Sequence, residues 1–479
     1  MKAINKIKAR IITRLKLDEE ASSLVAHAKN YLQANVLIKA ISLITLPIFT
    51  YLLLPSSYGT LSIFQAAVGI FAALMALGMT AGIYRRFFEK KKDYPTFLGG
   101  NIIFITLFSV FFIFVIFTFS RELASAFGTE PIIIILASIV AFVTIVFSIY
   151  TRLLQAKKLS KKYSNIFIIQ SLSIVTLSII LMLFMPVGER YFGSILSILL
   201  IFSILTIYGL RYLIKESKFK VKWKHIKYSL LFGIPLIPHS LGGYLLSYFD
   251  RIIIGQLTTL SNAGIYTVGY SVGMVLLIII SAIMTAWSPS FFALMKDKKY
   301  EKIQSLAKKT TKMVLFFALP IILFSEEFIL LAIAKSYHES LLVVTPIVIG
   351  YVFFFFYSIY MLYSEYKKKT LFISINTVIS VVVNIGLNYW LIPIFGYTAA
   401  AYTTAFSYIL LFTLHYITTK LIMKENTIQF KKFVPGLLLF FVFVGLHLVI
   451  DQSVSILFIK TILKIVLLAA FAYLLFRKT

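Results

Sequence analysis

Apolar runs of roughly 20 residues recur along the entire chain, each followed by a short polar gap, and that length is what a helix needs to cross a bilayer core. The runs fall at 31–54, 58–84, 96–120, 131–150, 163–186, 191–210, 228–249, 263–287, 313–333, 341–363, 370–392, 396–419, 433–450 and 454–476. The pattern predicts an all-α integral membrane fold with about 14 transmembrane helices. A core of about twelve spans would satisfy the same pattern if the hairpin at 433–476 were a late addition.

The polar gaps are not equivalent. Those after even-numbered spans hold the cations: Arg85, Arg86 and Lys90 to Lys92, then Arg152, Lys157, Lys158, Lys161 and Lys162, and so on to Lys420–Lys432. Those after odd-numbered spans nearly lack cations; they contain Arg121, Arg190 and Lys335, besides Arg251 at the end of the seventh span. Cationic loops are retained on the cytoplasmic side. The spacing therefore predicts a multi-pass protein of the cell (inner) membrane with both termini cytoplasmic. The formal charge of +29 is then a topology signal, because 60% of residues are hydrophobic and the mean hydropathy is +0.92. Nucleic acid is excluded as a partner on the loop placement, although Lys220-Val221-Lys222-Trp223-Lys224 is basic and aromatic; that stretch fits an interfacial segment on anionic lipid.

Residues 1–29 are polar and basic, with no small-residue cleavage site after a short apolar core, so the first run is expected to be an uncleaved span. Ile4, Ile7, Ile11, Ile12 and Leu15 recur at helical spacing among Lys2, Lys6, Lys8, Arg10 and Arg14. This predicts a basic amphipathic helix lying on the membrane surface, the alternative being a disordered basic tail. The chain has no cysteine, which removes disulfides, thiolate metal sites and cysteine nucleophiles, and its six histidines include no pair at ligand spacing.

The chain echoes itself. Tyr58-Gly59-Thr60-Leu61-Ser62 opens a unit that closes at Phe87-Phe88, and Ala263-Gly264-Ile265-Tyr266-Thr267 opens another that closes at Phe291-Phe292. Each unit starts with a glycine in an outer turn and ends in a basic inner loop. The two have one membrane orientation, which implies a parallel duplication with substrate between two bundles. Chance similarity between apolar helices is the competing explanation.

Three stretches carry a resemblance to a known family. Leu54-Pro55-Ser56-Ser57-Tyr58-Gly59-Thr60-Leu61-Ser62 resembles the first outer turn of the polysaccharide flippases of O-antigen and teichoic-acid type, within the multidrug/oligosaccharidyl-lipid/polysaccharide exporter superfamily. Tyr248-Phe249-Asp250-Arg251-Ile252-Ile253-Ile254-Gly255, followed by Ala263–Tyr266 and Trp287-Ser288-Pro289, is similar to that family's seventh and eighth spans. Asn384–Asn388 with Ile392–Ala401 resembles its eleventh-to-twelfth-span signature. The resemblance covers nearly the whole chain; the basic N-terminus and Lys39 depart from it. It implies two pseudo-symmetric six-helix lobes around a central cavity plus a C-terminal hairpin. The corresponding division is 1–29, an N-terminal lobe at 30–227, a C-terminal lobe at 228–432 and a hairpin at 433–479. It also implies a glycan on a polyprenyl pyrophosphate carrier as substrate, moved from the inner to the outer leaflet, with membrane lipids and other polysaccharide-assembly proteins as partners.

Ionisable groups within the spans are the functional evidence, since they are costly in hydrocarbon and face water or a partner. Lys39 lies roughly 12 Å along the first span at 1.5 Å per residue. It is expected to line the cavity and meet the diphosphate, unless its stem snorkels to the headgroups. Asp250 and Arg251 end the seventh span and point about 100° apart, which argues against a simple pairing between them. Arg251 is a candidate for the sugar-phosphate and Asp250 for a coupling proton or sodium ion, no other cofactor being expected; simple anchoring of the span end is the alternative for both. Lys460 and Lys464 share one face of the last span and would border a headgroup groove, or else pair with a neighbouring helix. Glu326 and Glu327 are expected at the surface of an outer vestibule. Gln65, Asn384 and Asn388 offer hydrogen bonds to sugar hydroxyls, or to adjacent helices.

Lysines at depth point to an anionic substrate. A drug/cation antiporter of the same superfamily would need acidic residues there, and the lipid II flippase branch is a further alternative. A membrane glycosyltransferase or polymerase would need an acidic metal site or a large catalytic loop, and neither is present. The expectation is a flippase working by alternating access, not an enzyme.

Overall fold

The computed structural model describes residues 19–89, 92–454 and 456–477; the expected amphipathic helix centred on Ile4–Leu15 lies outside them. The first half of the chain forms α1 (Glu19–Leu52), α2 (Pro55–Ala76), α3 (Met79–Phe88), α4 (Tyr94–Thr118), α5 (Ser120–Phe127), α6 (Pro131–Ala156), α7 (Ser160–Leu183) and α8 (Arg190–Glu216). The second forms α9 (Trp223–Gly233), α10 (Ile237–Leu257), α11 (Leu260–Gly273), α12 (Val275–Lys296), α13 (Tyr300–Leu323), α14 (Ser325–Ala332), α15 (Leu341–Tyr366), α16 (Leu371–Phe395) and α17 (Ala399–Ile417). The terminal hairpin is α18 (Val434–Ser453) and α19 (Leu457–Phe476).

Eleven of these helices are long and apolar enough to cross a membrane, or thirteen when each of two bent pairs counts as one span. The apolar stretch Leu37–Leu52 in α1 supplies the remaining span of the expected set. The chain is an all-α, multi-pass membrane protein. A helix satisfies every backbone polar group within itself, which is why each apolar run takes that form. Prolines stand in the first turn of α2, α4 and α6, where their missing N–H has no helical partner to lose.

Several spans are not the continuous rods that the hydropathy pattern suggests. The second breaks at Leu77 and Gly78, both in the left-handed region (φ 47° and 66°), before α3 resumes. The seventh is bent by 49° between Trp223–Leu236 and Ser240–Leu257, and the ninth by 46° between Tyr300–Leu323 and Ser325–Ala332. The breaks in the second and seventh meet: a methyl group on Gly78 would lie 2.2 Å from the carbonyl oxygen of Gly233. A further short helix, α5, follows the third span where only a turn was expected.

Two apolar cores organise the packing. One is built from residues between Leu53 and Ile226, with α6 at its centre. The other runs from Leu246 to Leu475 and includes Leu46, with α15 at its centre. The change from one to the other falls within the bent seventh span. The halves meet where α2 packs along α10 and α11. There the two repeat glycines are neighbours: a methyl group on Gly59 would lie 1.9 Å from the Leu260 carbonyl oxygen, and one on Gly264 2.0 Å from that of Pro55. Only glycine permits this backbone-to-backbone approach. Because successive spans reverse the chain, this seam lies on the face opposite the loops rich in Lys and Arg. Close by, the Tyr337 hydroxyl donates to the Leu53 carbonyl at 2.9 Å, tying the halves together again.

Candidate functional site

A cavity of about 430 Å³ opens between the halves below that seam. Side chains of α1, α2, α7 and α8 line it from the first half, and side chains of α10, α11 and α12 from the second. Helices that pack tightly at one end and diverge at the other leave such a space. Its lining includes two charged side chains, Lys39 and Arg251, and no carboxylate among the described residues. The rest of its polar surface is hydroxyl, phenol and amide, including Ser42, Thr45, Ser62, Thr267 and Ser271, Tyr58, Tyr248 and Tyr270, Gln65 and Gln170.

The two cations differ in their circumstances. Lys39 has no ion-pair partner among the described residues, so its ammonium is free to meet a ligand. Arg251 is 3% exposed and belongs to a dense network. Its Nη1 donates to Asp250 Oδ1 at 2.7 Å and to the Ser247 carbonyl, and its guanidinium lies 3.9 Å from the centroid of the Tyr270 ring. The expectation that Asp250 and Arg251 do not pair is therefore corrected. Adjacent Cβ directions diverge, but the long arginine stem folds back, and burial leaves its guanidinium no water as an alternative. Asp250 does not line the cavity. It is 1% exposed and accepts further hydrogen bonds from the Tyr266 hydroxyl and, at 3.4 Å, from Thr404. Its carboxylate holds the Arg251 guanidinium from outside the cavity lining.

Lys460 and Lys464 lie elsewhere. Lys460 Nζ is 2.9 Å from Glu326 Oε1, and Lys464 Nζ is 2.9 Å from Glu326 Oε2, 3.2 Å from Glu327 Oε1 and 3.3 Å from Asp451 Oδ1. Thr461 donates to Glu327 at 3.0 Å. Glu326 and Glu327 are thus not the free vestibule surface groups that the sequence suggested, but half-buried counter-ions that fasten the hairpin to α14. Of the two readings of these lysines, the structure has them paired with a neighbouring helix, and neither lines the cavity. Asn384 and Asn388 are 1% and 0% exposed and are also outside the lining. Asn388 donates to Asn384 Oδ1 at 3.3 Å and accepts from Thr403, joining α16 to α17. Gln65 does line the cavity.

Gln170, Ser171 and Ser194 line it too and were missed by the sequence reading. Gln170 is an amide within an apolar run, the same signal that singled out Gln65. On the basic face, outside the spans, Arg86 Nη1 bonds Glu89 at 2.7 Å, Arg86 Nη2 lies 3.1 Å from Asp93, and Asp93 also pairs with His225 at 3.0 Å. The bond from Tyr228 and then that from Arg86 hold the Glu89 carboxyl below its ordinary range. Burial pushes Asp93 up, but His225 and Arg86 outweigh it and the net shift is downward. This latch ties the loop after α3 to α9.

Comparison with known proteins fits this architecture. Over 276 residues, 56% of this chain, it is 25% identical to Lsg locus putative protein 1 of Haemophilus influenzae, a match spanning 66% of that protein. In fold it is similar to the lipid II flippase MurJ in an inward closed conformation, with a TM-score of 0.72 at 14% identity over 95% of this chain and 99% of that one. It is also similar to a mutant of the Vibrio cholerae MATE transporter VcmN, with a TM-score of 0.59 at 12% identity over 85% and 99% of the two chains. At such identities the likeness is one of fold. The family described as polysaccharide biosynthesis protein matches residues 27–295, more than half of the sequence, and this chain belongs to it.

Proposed function

We propose that this protein is a flippase that carries a polyprenyl-pyrophosphate-linked oligosaccharide from the inner to the outer leaflet for surface polysaccharide biosynthesis. The observation that carries the reading is the cavity between the halves, whose lining has the free ammonium of Lys39 and the guanidinium of Arg251 but, among the described residues, no carboxylate. A lone hydrated ammonium suits a phosphate that must bind and then leave. The serine, threonine, tyrosine and glutamine side chains around it suit sugar hydroxyls. Membership in a polysaccharide biosynthesis family supports the same substrate class. A drug/cation antiporter, the main alternative, would place acidic side chains where this lining has none.

The polyprenyl tail would stay in the bilayer while the headgroup enters the cavity. Alternating access would open the glycine seam on the far face and close the basic face, with the basic face cytoplasmic and both termini inside.

The test is export of surface polysaccharide in a flippase-deficient strain. Lys39→Ala removes the free cation without orphaning a partner, and the double variant Asp250→Asn, Arg251→Gln removes the second cation with its counter-ion. Each is expected to lower export at least about tenfold, the worth of a charge-assisted contact, at normal membrane levels of protein. Full complementation by both would remove the assignment.

A further inference from the structure

Gln170 stands out among the polar groups of the cavity. It is 9% exposed and lines the cavity, and its carboxamide oxygen is buried without a hydrogen-bond partner among the described residues. A buried acceptor with nothing to accept from calls for an explanation, since such groups are nearly always satisfied. Its neighbours sharpen the point. Ser42, Thr45, Ser62, Thr267 and Ser271 each donate their hydroxyl hydrogen to a carbonyl of their own helix, at 2.6–3.1 Å. What these hydroxyls turn to the cavity is lone pairs. These five hydroxyls therefore add acceptors to the wall beside the Gln170 oxygen. The wall's uncharged donors include the phenols of Tyr58 and Tyr248 and the amide N–H groups of Gln65 and Gln170, and its charged donors are Lys39 and Arg251.

These acceptors suit a ligand rich in hydroxyl donors and disfavour one that brings further carboxylates to them. We propose that Gln170 is a specificity residue that accepts a hydrogen bond from a hydroxyl of a neutral sugar in the headgroup, while the phosphate charge is met at Lys39. The inference rests on the flippase reading and deepens it: one part of the cavity meets the anion common to all such lipids, and another reads the sugar. A site built to hydrogen-bond a hydroxyl discriminates through the cost of leaving its own buried group unpaired.

The experiment measures binding of two lipids to purified protein in nanodiscs: polyprenyl diphosphate without sugar, and the same lipid bearing a neutral disaccharide. Gln170→Leu keeps the side-chain volume and removes the orphaned acceptor, so its thermal midpoint is expected to equal or exceed that of the unmodified protein. Its affinity for the disaccharide lipid is expected to fall about tenfold, one hydrogen bond's worth, with affinity for the bare lipid unchanged. Gln170→Glu retains acceptor oxygens and is expected to keep the preference for the disaccharide lipid over the bare one, which guards against a packing defect in the leucine variant. Equal binding of both lipids by Gln170→Leu and the unmodified protein, or an equal loss of both in the variant, overturns the proposal while leaving the flippase reading intact. Failure of the unmodified protein to bind either lipid takes down both.

Discussion

At the scale of single residues, the contrast between Lys39 and Lys464 decides how intramembrane charge is to be read. Both are lysines deep in apolar helices, and by hydropathy alone both are candidates for an anionic ligand. Lys464 is fully buried and has three carboxylates within 3.3 Å, those of Glu326, Glu327 and Asp451. Lys39 has none among the described residues and faces the cavity. Removing one member of a buried ionic group strands its partners and costs about 3–5 kcal/mol. Lys464→Met is therefore expected to lower the thermal midpoint markedly while headgroup affinity in the surviving folded fraction stays unchanged. A variant that folds normally but no longer binds lipid would return Lys464 to the substrate site.

The helices show what the hydropathy pattern resolves and what it blurs. Each expected span has a helical counterpart, because a run of apolar residues has no other way to satisfy its backbone in lipid. Yet the breaks at Leu77–Gly78 and in the seventh span left no mark in the averaged hydropathy, since a change of backbone direction does not alter apolarity. The repeat glycines were visible as an echo between the halves, but not as each other's neighbours. Their role belongs to the seam between α2 and α11, where no side chain fits. Gly59→Val would drive methyl groups into the Leu260 carbonyl, and overpacking of this kind costs about 1–3 kcal/mol. We expect a lowered thermal midpoint and faster proteolysis in the turn around Leu260. An unchanged midpoint would mean that α2 and α11 do not hold this contact in the membrane.

For the molecule as a whole, the distribution of cations predicts an orientation, and the absence of native cysteine makes it directly testable. Gly188 and Lys369 are exposed positions in loops on opposite faces. In intact cells, Gly188→Cys is expected to react with a membrane-impermeant thiol reagent, and Lys369→Cys only after permeabilisation. The reverse pattern would turn the protein over and, with it, the direction assigned to transport.

Span number, the two-sided sorting of charge and the helical fold class are properties of local composition, readable wherever apolar length and loop cations are counted. Lys39, Arg251 and Gln65 could be found in the same way, as polar exceptions within apolar runs. Which exceptions share a cavity was settled by tertiary structure alone. Glu326 and Lys464 are separated by 138 positions, and Asp250 and Thr404 by 154. A buried charge is quenched or left free by whatever the packing brings beside it, and hydropathy along the chain contains no information about that neighbour.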